Sequence, residues 1–118
     1  MGTEGIERSP IDPPLSWTPW GAPHDATEFG PGVTFYSTPS HGGFHLAPEQ
    51  DRQVPSALKS DRYCPTDWYE EDCEWAVVAI IHHRLFREAE LKAALQTYRQ
   101  SFPDCWRQHL PADFPLEA

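Results

Sequence analysis

The residues of this sequence best suited to chemistry are the carboxylates between positions 67 and 74. Five of these eight residues are acidic and none is basic. Like charges this close repel one another, and the repulsion costs folding free energy. The chain already carries a formal net charge of -9 over 118 residues, so solubility alone is a weak reason for such a cluster. We predict that the cluster binds a basic surface of a partner.

The pattern around the cluster predicts a helix that begins at Asp67 and ends near residues 81–83. Asp67 as N-cap with Glu70 three residues later fits a capping box, and an apolar run over residues 76–81 follows. Acids at i, i+3 and i+4 would lie about 5 to 6 Å apart on one helix face, close to the phosphate spacing of a DNA strand. The predicted partner-binding residues are Asp67, Glu70, Glu71 and Glu74, with Glu49 and Asp51 as a second patch.

Cysteine catalysis is the first alternative, with Cys73 or Cys64 as nucleophile and His41, His82 or His83 as base. A reactive thiolate needs a nearby cation or a helix N-terminus, whereas Cys73 is surrounded by carboxylates. Cys73 also falls on the apolar face of the predicted helix, which favours a buried structural cysteine. The enzyme hypothesis requires His41 and Cys73 to converge in a concave pocket.

Two further chemistries are disfavoured by spacing. Ser40 lies beside a histidine and two glycines, but a nucleophile elbow needs a strand-to-helix turn, and this segment is typical of a strand-to-strand turn. Structural zinc sites pair ligands two to four residues apart, whereas Cys64 and Cys73 are nine apart and His41 and His45 are separated by a turn. We therefore predict no metal and no cofactor.

Composition limits the class of protein. A hydrophobic fraction of 39% with 13% aromatic residues is too high for a disordered chain, and the length suits one domain. Direct nucleic-acid binding is excluded, because it needs clustered Lys and Arg. The odd cysteine count, with no signal peptide and no stretch long enough to span a membrane, predicts a monomeric cytoplasmic protein with reduced thiols.

The elements that would position these residues form a small α+β domain, with an antiparallel β-hairpin or sheet packed against two main helices. The hairpin has strands at 33–38 and 44–46, and Gly42 or Gly43 is predicted to take a positive φ in its turn. The second helix spans Glu88–Ser101 and is stopped by Pro103. We predict a flexible arm over residues 1–16, a domain over 17–110 and an extended tail over 111–118. The predicted core residues of the helices are Tyr69, Cys73, Val77, Ile80, Leu91, Leu95 and Tyr98.

Two motifs, TPSHGG at Thr38–Gly43 and WYEEDC at Trp68–Cys73, resemble a family of uncharacterised small domains carried by plasmids and phages of proteobacteria. The resemblance covers roughly residues 17–105 and implies a mobile genetic element. Anti-CRISPR and anti-restriction proteins are similar to this chain in size and charge, and some present carboxylates in place of DNA phosphates. From this context and from the similarity in size and charge, we predict an inhibitor that occupies the basic DNA-binding surface of a CRISPR effector subunit or another defence protein.

Three hypotheses for the function predict different surfaces. An acidic DNA mimic, the favoured hypothesis, requires carboxylates gathered on one exposed face. A small Cys/His/carboxylate enzyme requires His41 and Cys73 in one pocket. A plain protein-interaction module requires dispersed charge and an exposed apolar patch.

Overall fold

The described residues, 8–59 and 67–109 of the computed structural model, form an antiparallel sheet against which helices pack. The predicted α+β class is confirmed. The strands follow chain order across the sheet and are β1 (Ser9–Ile11), β2 (Asp25–Gly30), β3 (Val33–Ser37), β4 (Gly42–Leu46) and β5 (Trp68–Glu70). The helices are α1 (Pro48–Asp51), α2 (Trp75–Ile81), α3 (Glu88–Ser101) and α4 (Pro103–His109), with 3₁₀ turns at Ser56–Lys59 and His83–Leu85. None of the helices within these ranges has both the length and the apolar character needed to span a bilayer.

The predicted hairpin is formed by β3 and β4, which pair antiparallel with Phe35 opposite Phe44. Its turn is shorter than predicted, because Gly42 and Gly43 already belong to β4. The prediction of a positive φ at one of these two glycines is wrong. Among the described glycines, positive φ occurs at Gly21 and Gly32 instead.

The N-terminal arm predicted over residues 1–16 contains a strand of the sheet. β1 pairs with β2, with Ile11 opposite Ala26. This register places Ile11 on a small apolar cluster with Ala26, Tyr36 and Trp68, and burial of these side chains favours strand over coil. Residues 1–7 and the predicted tail over 111–118 lie outside the described residues.

The helix predicted to begin at Asp67 is wrong in its first half. Asp67 has a φ of 73°, which a helix N-cap does not adopt. The next three residues form β5 and pair with β4, with Tyr69 opposite Phe44, and a turn leads to Trp75, where α2 begins. Trp68 and Tyr69 are both buried, on the two faces of the sheet. A strand buries neighbouring side chains on opposite faces, whereas a surface helix does not.

The core lies between one face of the sheet and α2, whose residues from Ala76 to Ile80 are all fully buried. The bounds predicted for α3 are confirmed, and Phe102 separates it from α4, which begins at Pro103. Of the predicted core residues, Tyr69, Val77, Ile80 and Tyr98 are buried, and Cys73, Leu91 and Leu95 are partly buried against the same cluster.

The opposite face of the sheet carries an aromatic cover formed by Trp17 and Trp20. The rings of Trp17 and Trp20 meet Trp68 edge to face at centroid distances of 6.0 and 5.6 Å. Trp20 is packed into the apolar cluster on this face, while Trp17 is 59% exposed. Trp17 is therefore the solvent-exposed part of this aromatic cover.

Candidate functional site

The two sequence motifs meet where β4 pairs with β5. Gly43 lies opposite Glu70 in the sheet, and the Glu71 N–H donates to the Gly42 carbonyl at 2.9 Å. His41 Nδ1 lies 3.9 Å from Glu71 Oε2. Residues 38–43 and 68–73 thus form one structural unit with Glu71 at their junction.

The two glycines of the first motif make room for neighbouring groups. A Cβ at Gly43 would lie 2.5 Å from the Tyr69 carbonyl oxygen, and a Cβ at Gly42 would lie 3.1 Å from Phe35 Cζ and 3.2 Å from Glu71 Oε1. Contacts under about 3 Å exceed what close packing tolerates without displacement. A Cβ at Gly42 would also lie 2.8 Å from the Tyr36 carbonyl oxygen, so a glycine suits this position, which the ends of the Phe35 and Glu71 side chains approach.

A cavity of about 330 Å³ opens beside Glu71, between the sheet and the first turns of α2 and α3. Its walls are mostly aromatic rings that contact one another. The centroid of the Phe44 ring lies 4.9 Å from that of Phe29, 5.0 Å from that of Phe35 and 5.7 Å from that of Phe86. A volume of this size is at the low end for sites that bind small molecules or single side chains. The cavity is lined by Phe29, Phe35, Phe44, Trp75, Phe86, Glu71 and Glu90.

One of the two lining carboxylates, Glu90, is already paired. The Arg8 guanidinium donates to Glu90 through both terminal nitrogens, at 2.8 and 2.7 Å. These hydrogen bonds are the main reason that the pKa of Glu90 is lowered from its ordinary value. Glu71 differs, because its side chain is 40% exposed and no Lys or Arg within the described ranges forms a salt bridge with it. The cavity thus has one neutralised and one available carboxylate.

The structure disperses the acids predicted to share one helix face. Glu74 is 0% exposed, and its Oε1 accepts the Glu70 N–H at 3.3 Å, so its predicted surface position is wrong. The Glu70 carboxylate accepts the backbone N–H groups of Asp72 at 3.0 Å, Cys73 at 2.5 Å and Glu74 at 2.9 Å. Glu70 therefore fixes the turn into α2, and Glu71 is the exposed member of this group.

The remaining predicted acids are also separated. Asp51 is 6% exposed and accepts a hydrogen bond from the Tyr69 hydroxyl at 2.5 Å. Glu49 is exposed at the start of α1, so the second patch is not a pair of surface carboxylates. Asp67 is half-buried, with Oδ2 3.4 Å from His45 Nε2. Partner binding by Glu71, Asp67 and Glu49 stays a prediction.

Glu70 and Glu71 are neighbours in sequence, but their replacement by alanine is expected to affect stability very differently. Glu70→Ala removes the acceptor of three backbone N–H groups and is expected to lower the free energy of unfolding by about 1 to 3 kcal/mol. Glu71→Ala removes an exposed carboxylate and should change it by less than about 0.5 kcal/mol. Urea titrations of both variants measure the difference, and equal losses would contradict the capping role of Glu70.

The residues of the catalytic hypothesis do not line this cavity. His41 is exposed in the hairpin turn, where its backbone N–H bonds Thr38 Oγ1 at 3.1 Å, and Ser40 is exposed beside it. Cys73 is partly buried against the core, and Cys64 lies outside the described residues. Within residues 8–59 and 67–109, no three His, Cys, Asp or Glu side chains cluster in a way that could hold a metal ion.

Charge is distributed unevenly along the described chain. Residues 8–59 and 67–83, here called the acidic portion, hold ten carboxylates and three Lys or Arg residues. Residues 84–109, the basic portion, hold three carboxylates and five Lys or Arg residues. The acidic portion contains the whole sheet and Glu71, so the excess negative charge of the described residues belongs to this portion.

Residues 13–114 match the model of a family described as a domain of unknown function, DUF7007. The match spans most of the chain, and the chain belongs to this family. No curated protein and no solved structure matches the chain. Because the description of the family gives no activity, any function has to come from the chemistry of the site.

Proposed function

We propose that this member of the DUF7007 family is a non-enzymatic protein-interaction module that binds a basic surface of a partner protein. The observation that carries the proposal is the segregation of charge, with ten carboxylates against three basic residues in the acidic portion. Complementary potentials steer two proteins together and favour partners of opposite charge. Proteins that hold nucleic acid present such basic surfaces, so a nucleic-acid-binding protein is the partner class that fits.

A narrower version of the proposal names the partner as a bacterial immune complex. The resemblance of the Thr38–Gly43 and Trp68–Cys73 motifs to plasmid and phage proteins supports it. In this version the chain is an inhibitor, of the anti-CRISPR or anti-restriction kind, that acts in the bacterial host cell without touching nucleic acid itself. Its carboxylates occupy a groove that otherwise holds DNA phosphates. The carboxylates available for this role are Glu71, Asp72 and Asp67, since Glu74 is buried and Glu70 caps the turn.

A module that relies mainly on apolar contacts is the second candidate. The aromatic cavity and the exposed Trp17 ring favour it, because apolar surface of this kind commonly marks interaction sites. This candidate and the acidic module differ in their response to salt, since ionic contacts weaken with ionic strength and apolar contacts do not.

The test of the proposal uses purified CRISPR effector complexes and restriction enzymes with their DNA substrates. We expect the chain to reduce DNA binding by one of these proteins in a gel-shift assay, and its affinity for that protein to fall as salt is raised. The double variant Glu71→Lys with Asp72→Lys should lose at least about tenfold in affinity, which corresponds to about 1.4 kcal/mol.

The matched control is Glu88→Lys with Asp104→Lys, which makes the same change of net charge on exposed positions of α3 and α4. It should lose less than about twofold in affinity, and thermal melts should show that both double variants fold. Equal losses of affinity in the two double variants would mean that net charge alone causes the loss, and the assignment of Glu71 and Asp72 to the binding site would be wrong. An affinity that ignores both salt and charge reversal would exclude the acidic module in favour of the apolar one.

A further inference from the structure

We infer that the aromatic cavity beside Glu71 is a receptor for an arginine side chain of the partner, with the Glu71 carboxylate as counter-ion. The inference rests on the proposed function, because it names the group by which a basic partner would be held. Three observations carry it: a guanidinium already bound to the same walls, an available carboxylate at the mouth, and the composition of the lining.

The first observation is the position of Arg8. Its Cζ lies 4.1 Å from the centre of the Phe29 ring and 5.6 Å from that of Phe86, within the range of cation–π attraction. Both terminal nitrogens bond Glu90, and one of them also donates to the Leu85 carbonyl at 3.0 Å. Phe29, Phe86 and Glu90 line the cavity as well. Rings and a carboxylate arranged in this way therefore bind a guanidinium within this very protein.

The second observation is the Glu71 carboxylate, which lines the same cavity as these rings. Its Oε1 and Phe35 Cζ lie 3.2 and 3.1 Å from the position that a Cβ at Gly42 would take. No Lys or Arg of the described residues forms a salt bridge with Glu71, and His41 Nδ1 lies 3.9 Å from its Oε2. A guanidinium placed in the cavity would therefore gain a charge-assisted hydrogen bond to Glu71.

The third observation is the composition of the lining, from which we expect a preference among cations. A guanidinium is planar and weakly hydrated, stacks on aromatic faces and bonds carboxylates through two parallel N–H groups. A lysine ammonium is strongly hydrated and loses more solvation against phenylalanine walls. An apolar side chain would fill the same space but form no hydrogen bond with Glu71. The volume of about 330 Å³ suits one side chain rather than a folded segment.

The experiment titrates N-acetyl-arginine methylamide into the full chain and follows the indole N–H resonance of Trp75 by NMR. A Trp75→Phe variant assigns that resonance. The same titration with N-acetyl-citrulline methylamide tests charge at constant shape, and N-acetyl-lysine methylamide tests the guanidinium against another cation. We expect a saturable shift with the arginine probe, at least about tenfold weaker binding of the citrulline probe, and intermediate binding of the lysine probe.

Two variants make the assignment specific to Glu71. Glu71→Gln should weaken binding of the arginine probe by at least about tenfold. Glu88→Gln is the matched control, since it makes the same substitution at an exposed residue of α3 that does not line the cavity, and it should change binding by less than about twofold. Thermal melts of both variants show whether the fold is retained.

The inference is overturned if the citrulline probe binds as well as the arginine probe, or if Glu71→Gln and Glu88→Gln behave alike. Tighter binding of N-acetyl-leucine methylamide would also overturn it and assign the cavity to an apolar anchor. If the probes fail but salt-dependent binding to a basic partner persists, the inference falls and the proposed function stands. If the probes fail and no salt-dependent binding to a basic partner is found, both the inference and the proposed function are overturned.

Discussion

Replacing Ile80 by alanine is expected to lower the free energy of unfolding by about 2 to 5 kcal/mol. Ile80 is 0% exposed, in a run of α2 that is buried from Ala76 onwards. α2 contacts β4 and β5 on one side and α3 on another, so the elements around the truncated side chain cannot all move in to refill the space. Chemical denaturation followed by circular dichroism measures the loss.

Leu95→Ala is the control for this prediction. The helical pattern of the sequence predicts both Leu95 and Ile80 as core residues. In the structure, however, Leu95 is partly exposed and lines a surface groove with Trp106. Its truncation should therefore cost only about 1 kcal/mol, the ordinary value for a substitution. Equal losses at Leu95 and Ile80 would contradict the placement of α2 at the centre of the fold.

α3 could be predicted from sequence because its signals are local and agree with one another. The apolar stripe and Pro103 mark bounds that the structure confirms, and at the start of the helix Glu90 Oε1 accepts the Arg87 N–H at 2.7 Å. The β3–β4 hairpin was predictable for the same reason, since the strands and their turn lie within fifteen residues. The two hairpin strands pair with each other, and the backbone hydrogen bonds of α3 lie within the helix, so neither element depends on a distant segment.

β5 could not be predicted because its partner is distant in sequence. The residues from Asp67 to Glu74 fit a capping box as well as a short strand, and three strand residues are too few for alternation to decide. Pairing with β4 and burial of Trp68 and Tyr69 on opposite faces select the strand. Once the strand forms, Glu70 caps the following turn rather than facing a partner.

Only part of the candidate site could be predicted from the sequence. Glu71 belonged to the predicted set, but the cavity beside it did not, because its rings come from β2, β3, β4, α2 and the segment before α3. Only the contact between Phe35 and Phe44 follows from the hairpin register. Arg8 was missed because it precedes β1, in a segment whose proline-rich sequence predicted a flexible arm.

Replacing Gly43 by alanine is expected to destabilise the fold more than any other single methyl group added to the sheet. The new Cβ would lie 2.5 Å from the Tyr69 carbonyl oxygen and 2.9 Å from Glu70 Cα, and it would also collide with the Trp20 ring. Two of these three groups are backbone of β5, which is held to β4 by hydrogen bonds. Relief therefore requires the strands to part, and we expect a loss of about 3 kcal/mol or more.

Ser40→Ala, in the exposed turn of the same hairpin, is the control and should change stability by less than about 0.5 kcal/mol. Gly42→Ala should have a smaller structural effect than Gly43→Ala, because two of its three close neighbours are the ends of the Phe35 and Glu71 side chains. It should instead displace the Glu71 carboxylate from the mouth of the cavity. Urea titrations of the three variants rank these effects. An unchanged stability in Gly43→Ala would mean that β4 and β5 lie further apart, and Glu71 would then lose the junction that positions it beside the aromatic walls.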